Sequence, residues 1–395
     1  MSDSLRLLVA AFGDPGHAFP AIALARALRE RGHEVVVETW DHWREAVEDV
    51  GLRFEAAEEY TVFPPPPKGV YSDAAEAAVA MRPLLDELKP DVVVSDILTL
   101  APTLAAEAAG CRLATLIPHV YPVHEEGMPF FAFGWMPPRT PLGRAAWRAA
   151  LPVLIGGLEQ GRAELNESRE RLGLRPVERF HGGISESLAL VATFPQLEYP
   201  RRWPAETRVT GPMEFELPFP DVELPEGPGP LVLVAPSTAQ DPECRMLRAT
   251  FEGLADEPVR VVGTTNRHVP AAPIEVPDNA VCVEWISYTQ ALAAADLIVC
   301  HGGHGTIARA LSAGVPVLAC PAVGDMAENG ARVQWSGAGV MVPWRLTAAG
   351  SIRVAVRRLL AEPRFAARAG EIAAWAGDNP GAERGASLVE ELASS

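Results

Sequence analysis

The sequence predicts an α/β protein made of two doubly wound parallel-sheet domains. A chain of 395 residues is too long for one ordinary hydrophobic core. Short runs of Val, Ile and Leu alternate with helical patterns in both halves, which is typical of parallel strands buried on both faces. Residues 212–230 are rich in proline and acid and follow neither a helical nor a strand period, which indicates a linker between the halves.

The first half opens with an apolar run at residues 5–12, followed by a turn and a helix. Pro20 suits the first turns of that helix, and Gly32 ends it. Further strands are predicted at residues 34–40, 52–55, 91–95 and 112–117, with helices at 41–50 and 99–109.

The same alternation starts again after the linker. Strands are predicted at residues 231–235, 259–263, 279–283, 297–300, 316–320 and 339–342, and a last helix at 381–393. The predicted organisation is a first domain at 1–211, a linker at 212–230, a second domain at 231–376 and a C-terminal helical segment at 377–395. Right-handed crossovers place the carboxyl ends of parallel strands, and with them any ligands, at one edge of each sheet.

The composition is that of a soluble globular protein, with 48% hydrophobic and 22% charged residues. A formal net charge of −17 argues against nucleic acid as a partner, because no basic patch could offset the repulsion from phosphates. The five cysteines include no C-x-x-C pair, so we expect free thiols rather than disulfides or metal ligands. No signal sequence or membrane-spanning segment is evident, and a cytoplasmic location is expected.

The most informative stretch is the His-Gly-Gly-His-Gly-Thr turn at residues 301–306, between an apolar run and a helical pattern. Its glycines let the backbone approach a ligand closely. The free N–H groups and the dipole of the following helix favour an anion there, most simply a diphosphate. The turn is neither a P-loop nor a G-x-G-x-x-G fingerprint. The alternative is a tight turn whose glycines only permit close packing.

A histidine precedes these glycines, and Asp325, Glu328 and Asn329 follow the next strand. This combination resembles the donor-site signature of nucleotide-sugar glycosyltransferases of the GT-B fold. The resemblance is to family 1, and in particular to its bacterial natural-product members of the macrolide, aromatic polyketide and enediyne type. Residues 16–20, GHAFP, are similar to the family's G-H-x-x-P. The resemblance implies two Rossmann-like domains that face each other across a cleft, with a final helix that crosses back to the first domain.

The resemblance also implies roles at the donor site. His301 contacts the donor diphosphate, Trp285 stacks on the nucleobase, and the backbone of Ile286 pairs with the base edge. Ser237 and Thr238 supply a second diphosphate contact or only a helix cap. The full donor set is Ser237, Thr238, Trp285, Ile286, His301, Gly302, Gly303, His304, Gly305, Thr306, Asp325, Met326, Glu328 and Asn329. The nucleotide sugar is a co-substrate, so no cofactor is expected, and no D-x-D triplet is present to hold a metal.

Two departures from the family pattern bear on the donor. Met326 stands where relatives commonly carry the glutamine that reads sugar hydroxyls, which hints at a deoxysugar. Arg309 stands where plant-type members have a glutamate that grips the ribose hydroxyls. The loss of that acid favours a thymidine diphosphate (TDP) sugar, while a uridine diphosphate (UDP) sugar remains open.

His17 is the candidate catalytic base. It lies at the end of the first strand, just ahead of a helix, whose dipole disfavours the imidazolium form and leaves a neutral imidazole at pH 7. The resemblance implies that Asp96, at the end of a later strand, orients it, in the base-and-orienter logic of hydrolase triads. Asp14, in the same turn as His17, is the reserve candidate.

An aromatic stretch at residues 128–136, MPFFAFGWM, is a candidate wall for a large flat acceptor. Ordinary loop packing is the alternative. The residues assigned to the acceptor are Phe63, His119, Met128, Phe130, Phe131, Phe133 and Trp135.

We therefore predict an inverting glycosyltransferase that moves a sugar, favoured to be a deoxysugar, from a TDP or UDP donor to a hydroxyl of an apolar natural-product acceptor. A nucleotide-sugar 2-epimerase of the same fold and a non-catalytic partner protein are the alternatives. A homodimer is left open.

Overall fold

The computed structural model describes residues 4–59, 73–219, 222–237, 240–322 and 324–395. Its first domain is built on a seven-stranded sheet in which every strand pair is parallel. The strand order is β3-β2-β1-β4-β5-β6-β7, and the strands are β1 Arg6–Ala10, β2 Glu34–Thr39, β3 Arg53–Ala56, β4 Val92–Asp96, β5 Arg112–Ile117, β6 Leu188–Val191 and β7 Thr207–Val209.

The second domain repeats this plan on a six-stranded parallel sheet of order β10-β9-β8-β11-β12-β13. Its strands are β8 Leu231–Ala235, β9 Arg260–Thr264, β10 Ala280–Val283, β11 Leu297–Cys300, β12 Val317–Ala319 and β13 Gly339–Met341. In both sheets the chain starts in the middle and reverses direction there, which is the doubly wound arrangement that the alternating pattern predicts.

Helices cover both faces of each sheet. In the first half they are α1 Pro15–Glu30, α2 Arg44–Asp49, α3 Ala74–Ala80, α4 Arg82–Leu88, α5 Leu100–Ala109 and α6 Pro141–Arg171. In the second half they are α7 Arg245–Leu254, α8 Tyr288–Ala294, α9 His304–Ser312, α10 Asp325–Ser336, α11 Ala349–Ala361, α12 Arg364–Asp378 and α13 Gly381–Ser394. Among the residues that the structure describes, we find no helix with the length and apolar character that a bilayer crossing requires.

The structure contains elements that the sequence analysis did not predict. β6, β7 and the 31-residue helix α6 all lie between residues 118 and 211. α6 begins where the Thr140 hydroxyl accepts a hydrogen bond from the Gly143 N–H at 3.1 Å. Leu142 and Val153 are exposed on it, and Pro152 lies inside it, so its sequence shows no clear amphipathic period. The helix predicted at 41–50 is divided into a 3₁₀ turn, Asp41–Trp43, and α2.

The described part of residues 212–230 has no helix or strand, but it packs tightly against both domains. The side chains of Met213 and Phe215 are buried in the core of the first domain. Glu216 accepts a hydrogen bond from the backbone N–H of Tyr288 at 2.6 Å, and Glu214 accepts one from the Ser312 hydroxyl, also at 2.6 Å. This segment therefore fixes the two domains to each other as well as connecting them.

The last helix, α13, returns from the second domain and packs on α1 of the first. Ala386 and Val389 are fully buried in the first domain's core. Glu390 Oε2 accepts a hydrogen bond from Arg31 Nη2 at 2.7 Å, and His33 Nε2 lies 2.8 Å from Glu390 Oε1. The hydrogen bond from Arg31 is the main reason that the pKa of Glu390 is lowered to about 2. The C-terminal segment is thus structurally part of the first domain.

Val389→Ala should lower the free energy of unfolding by about 2 kcal/mol, because it removes buried methyl groups and leaves a cavity. Val354→Ala is the matched control, since that helical valine is 68% exposed and its loss should be neutral or slightly stabilising. Urea unfolding followed by circular dichroism measures both. Equal effects of the two changes would mean that α13 does not stabilise the first domain.

Candidate active site

A cavity of about 410 Å³ lies between the carboxyl ends of the two sheets. It receives the N-termini of α1 from the first domain and of α9 and α10 from the second. The predicted site residues in its wall are Asp14, His17, His119, Ser237, Trp285, Ile286, His301, Gly303, His304, Gly305, Thr306, Asp325 and Met326. Parallel strands end at the same edge of a sheet, so these residues converge although they are far apart in the sequence.

His17 and Asp96 form a hydrogen-bonded pair on the first-domain side of the cavity. His17 Nδ1 lies 2.8 Å from Asp96 Oδ2, and the Asp96 side chain is fully buried. The other Asp96 oxygen, Oδ1, accepts a hydrogen bond from the Leu98 backbone N–H at 2.9 Å. Since Asp96 accepts from Nδ1, the nitrogen left to accept a proton is His17 Nε2. β1 and β4 are neighbours in the sheet, which explains why the two residues meet.

The electrostatics of His17 differ from the sequence prediction. Burial is the largest single cause and lowers the pKa of His17. The charge of Asp96, the hydrogen bond to it and the charges of Asp325 and Asp14 together raise the pKa, and the net shift is upward from 6.5. The helix dipole alone was expected to keep this ring neutral. That expectation did not include the charge of the buried Asp96 carboxylate, which favours the protonated ring.

His119 lies beside this pair and remains neutral. Its ring centroid is 5.9 Å from that of His17, and its Nδ1 donates to the Val120 carbonyl at 2.7 Å. Burial, followed by the neighbouring charge of His17, lowers the pKa of His119. Its Nε2 is therefore a hydrogen-bond acceptor at the edge of the cavity.

The glycine turn before α9 has the close approach that the sequence analysis predicts. Gly302 has φ +88°, and a Cβ there would lie 2.8 Å from the Met326 carbonyl oxygen, so this position requires glycine. Asn329 Nδ2 donates to the Gly302 carbonyl at 3.1 Å and holds the turn. A Cβ on Gly303 would lie 2.3 Å from His301 Nε2. The His301 ring therefore lies directly over the turn.

Two histidines of this turn are held by backbone carbonyls. His301 Nδ1 lies 3.2 Å from the Ala235 oxygen, and burial lowers the pKa of His301. His304 Nε2 lies 3.3 Å from the Ala192 oxygen of the first domain, and burial lowers the pKa of His304 to about 4. His304 therefore links the two domains at the base of the cavity.

Trp285 lies in the loop after β10 and is half-buried. Its ring centroid is 4.9 Å from that of Phe219, and the guanidinium of Arg267 lies 5.0 Å from the ring. The next residue, Ile286, has a buried side chain. Ser237 Oγ accepts a hydrogen bond from the Gln240 N–H at 3.0 Å within the turn after β8, so Ser237 does not cap α7, which begins at Arg245. Thr238 lies outside the described residues.

The four predicted donor-site residues of α10 fall into two groups, one that lines the cavity and one that is buried away from it. Asp325 and Met326, the first residues of the helix, line the cavity. Glu328 and Asn329 are buried away from it, with 1% and 2% of their surface exposed. Glu328 Oε1 accepts a hydrogen bond from Arg332 Nε at 2.8 Å, so the placement of Glu328 among sugar-contacting residues is corrected.

Only some of the residues assigned to the acceptor lie at the cavity. His119 lines the cavity, and Phe131 packs beside it with a centroid distance of 5.5 Å. Three other aromatic rings instead pack on Trp147 of α6, a helix that the sequence analysis did not predict. Their ring centroids lie 5.2 Å (Phe130), 6.4 Å (Phe133) and 5.2 Å (Trp135) from that of Trp147. Those rings and Met128 are absent from the cavity wall as the structure describes it. Phe63 lies outside the described residues, and a role for this group in acceptor binding stays a prediction.

The sequence analysis missed several residues that line the cavity. Glu216 forms an ion pair with Arg309, in which Arg309 Nη1 lies 3.6 Å from Glu216 Oε1. Arg309 also donates a hydrogen bond to the Phe215 carbonyl. Arg309 is therefore held against the linker. Phe219 and Arg267 flank Trp285. No local motif marks these contacts, although the acidic and aromatic character of the linker was visible in the sequence.

Comparison with known proteins agrees with this architecture. A family model described as erythromycin biosynthesis protein CIII-like, C-terminal domain, matches residues 252–392, and a glycosyltransferase family 4 model matches residues 21–154. The chain is 30% identical to a 4'-demethylrebeccamycin synthase of Lentzea aerocolonigenes, over 93% of this chain and 94% of that one. It is 27% identical to an O-mycaminosyltylonolide 6-deoxyallosyltransferase of Streptomyces fradiae, over 98% of each.

Solved structures show the same fold. The glycosyltransferase of kitacinnamycin has a TM-score of 0.80 at 21% identity and covers 99% of both chains. The glycosyltransferase VinC in complex with dTDP has a TM-score of 0.71 at 21% identity, over 99% of this chain and 100% of that one. The fold and its relatives define a GT-B glycosyltransferase. The chain belongs to the glycosyltransferases of bacterial natural-product biosynthesis, which confirms the predicted family, fold and enzyme class.

The raised pKa of His17 should depend on Asp96. Asp96→Asn removes the carboxylate charge while burial remains, so the pKa of His17 should fall and its ring should lose its proton at lower pH. Histidine NMR titration measures this. His304 is the internal control, because burial sets its pKa at about 4 and Asp96 does not contribute. An unchanged His17 pKa in the variant would contradict this electrostatic account.

Proposed function

We propose that this enzyme transfers a sugar, with inversion, from a nucleoside diphosphate donor to a hydroxyl of an apolar acceptor. One observation carries the proposal: the His17–Asp96 pair and the glycine turn of α9 face each other across a single cavity. A proton acceptor therefore stands on one side of the site and an anion cradle on the other. Phe19, Trp43 and Phe215 give the cavity an aromatic wall that suits an apolar acceptor.

The acceptor side supplies general-base catalysis. His17 Nε2 takes the proton of the acceptor hydroxyl, and the oxygen attacks the anomeric carbon of the donor. The bond from that carbon to the diphosphate oxygen breaks, and the diphosphate leaves with the electron pair. Asp96 stabilises the imidazolium that forms, because its carboxylate accepts the Nδ1 hydrogen bond throughout. A single displacement of this kind inverts the anomeric centre.

The donor side stabilises the charge that gathers on the diphosphate. The first N–H groups of α9 have no partner within the helix and supply fixed dipoles. His301 Nδ1 already bonds to the Ala235 carbonyl, so His301 Nε2 is the nitrogen left for a phosphate oxygen. A hydrogen bond from Nε2 requires the imidazolium form, and an adjacent diphosphate anion favours that form.

Within this proposal the donor is a TDP-deoxysugar. Arg309 is bound to the linker and stands in the family position of the ribose-gripping acid, which removes one reason for a UDP donor. Met326 offers the sugar an apolar side chain beside the carboxylate of Asp325. The dTDP complex of VinC and the 6-deoxyallosyltransferase relative support the same choice. The sugar nucleotide is a co-substrate, and no resident cofactor is assigned.

His17→Ala should lower kcat by roughly 10²–10⁴, with little change in donor affinity, because it removes only the base. Asp96→Asn should cause a smaller loss in kcat, and the double variant should be strongly non-additive since the two residues act as one unit. Transfer of label from TDP-sugars to a panel of phenolic and macrolide acceptors measures this. Asp14→Ala is the control in the same turn.

Two outcomes would contradict the assignment. If Asp14→Ala abolishes turnover while His17→Ala does not, Asp14 is the base. If the wild-type protein converts the donor with no acceptor present and forms only its 2-epimer, the protein is an epimerase instead of a transferase.

Gly303→Ala should weaken TDP binding, because its Cβ would displace the His301 ring from the turn. The loss of that phosphate contact should cost about 1.5–3 kcal/mol, or roughly 10- to 150-fold in Kd. Gly370→Ala is the matched control, because a Cβ there meets no protein atom within 4 Å and Gly370 lies in α12, outside the cavity wall. Calorimetry with TDP and UDP measures both variants, and wild type should bind TDP more tightly. Equal Kd values for the two alanine variants would remove His301 from the donor site.

A further inference from the structure

A buried ion network joins the two domains outside the cavity, and Arg332 of α10 lies at its centre. Arg332 Nη1 bonds to Glu198 Oε2 at 3.0 Å and to the Leu197 carbonyl at 3.2 Å, both in the first domain. Its Nε bonds to Glu328 of its own helix, and its guanidinium lies 3.5 Å from the ring centroid of Tyr199. The side chains of Arg332 and Glu198 are only 3% and 4% exposed.

The network reaches the segment that carries His119. Glu198 Oε1 accepts a hydrogen bond from the Tyr121 backbone N–H at 2.6 Å. Tyr121 lies two residues after His119, on the stretch that leaves β5 and forms the acceptor side of the cavity. A single carboxylate therefore connects α10 to the backbone beside the acceptor site.

The network also holds the aromatic loop. The Tyr199 hydroxyl, beside the Arg332 guanidinium, donates to the Trp135 carbonyl at 3.1 Å. Gly134 has φ +69°, and a Cβ there would lie 2.8 Å from the side chain of Ala327 in α10. The loop therefore lies directly against the helix whose first residues line the donor side.

This arrangement is better suited to fixing geometry than to adding stability. A buried ion pair gains little net stability over apolar residues of similar size, yet removing one partner leaves an uncompensated buried charge. Arg332 satisfies carboxylates from both domains at once, and such multiple bonding permits only a narrow range of domain orientations.

We infer that Arg332 is a positioning residue for sugar transfer. It sets how α10, with Asp325 and Met326 at the donor sugar, is aligned with His17 and His119 on the acceptor side. The inference rests on the proposed function. A misplacement of about 1 Å between reacting groups costs on the order of 10²-fold in rate. Contacts within the second domain, from His301 to the Ala235 carbonyl and from Asn329 to the Gly302 carbonyl, hold the diphosphate cradle, so TDP binding should depend much less on the alignment of the two domains.

Arg332→Met is the test, because methionine keeps much of the side-chain volume without the charge. It should lower kcat for transfer by about 10²-fold while the Kd for TDP stays within about threefold. The fraction of donor sugar lost to water instead of the acceptor should rise, since the donor still binds but the acceptor is misaligned. Transfer and hydrolysis are measured together from labelled donor, and the Kd by calorimetry.

Arg169→Met is the matched control. Arg169 is also buried and pairs with Glu107 at 2.7 Å, but both residues belong to the first domain. It should lower the melting temperature and leave the ratio of transfer to hydrolysis unchanged. Glu198→Gln offers a second test if Arg332→Met does not fold, because the amide oxygen can still accept from Tyr121. It should shift the ratio in the same direction.

Hydrogen exchange gives a readout that does not need activity. Arg332→Met should raise exchange in both α10 and residues 118–136, whereas Arg169→Met should raise it in neither. If the two variants have the same ratio of transfer to hydrolysis, or if the affinity for TDP falls in step with kcat, Arg332 has no positioning role. If wild type transfers sugar to no acceptor but the exchange result holds, the proposed function fails and the inter-domain link stands.

Discussion

The function of this protein depends on one geometric constraint, which is that parallel strands end at the same edge of their sheet. The first sheet brings His17, after β1, beside Asp96, at the end of β4. The second brings Ser237, after β8, beside His301, after β11. Because the two sheets face each other along these edges, the proposed base and the proposed anion cradle share one cavity.

The chain is strongly acidic, yet the proposed donor is an anion, so binding must rely on local fields. The net charge is −17, and several acidic side chains lie in ion pairs on the surface, such as Glu167 with Arg171. At the cavity, the start of α9 presents N–H dipoles, and burial keeps His304 neutral. A long-range field of this sign does not steer the donor towards the protein, which leaves short-range dipoles to select it.

The features of the fold and site that depend on local sequence patterns could be predicted from the sequence. Strand and helix alternation predicted all six strands of the second sheet and β1 to β5 of the first, and the glycine turn, Trp285 and the G-H-x-x-P segment marked residues that do line the cavity. The features that depend on contacts between distant segments of the chain could not be predicted. Glu328 looked like a sugar contact because it follows Asp325 closely, but its carboxylate is taken by Arg332. The net upward shift in the pKa of His17 reflects the charge of Asp96 acting against burial, and residue spacing does not report that balance.

The path of α13 makes the second domain, in topological terms, an insertion into the first. The first domain's core is completed by Ala386 and Val389, which arrive only after the whole second domain has been synthesised. A fragment that stops at the linker would leave Leu24 and Leu28 of α1 without the helix that covers them. Chimeras that exchange donor domains between relatives should therefore transplant residues 231–378 as an internal cassette and keep each α13 with its own first domain. The segment to exchange in such chimeras is therefore the middle of the chain.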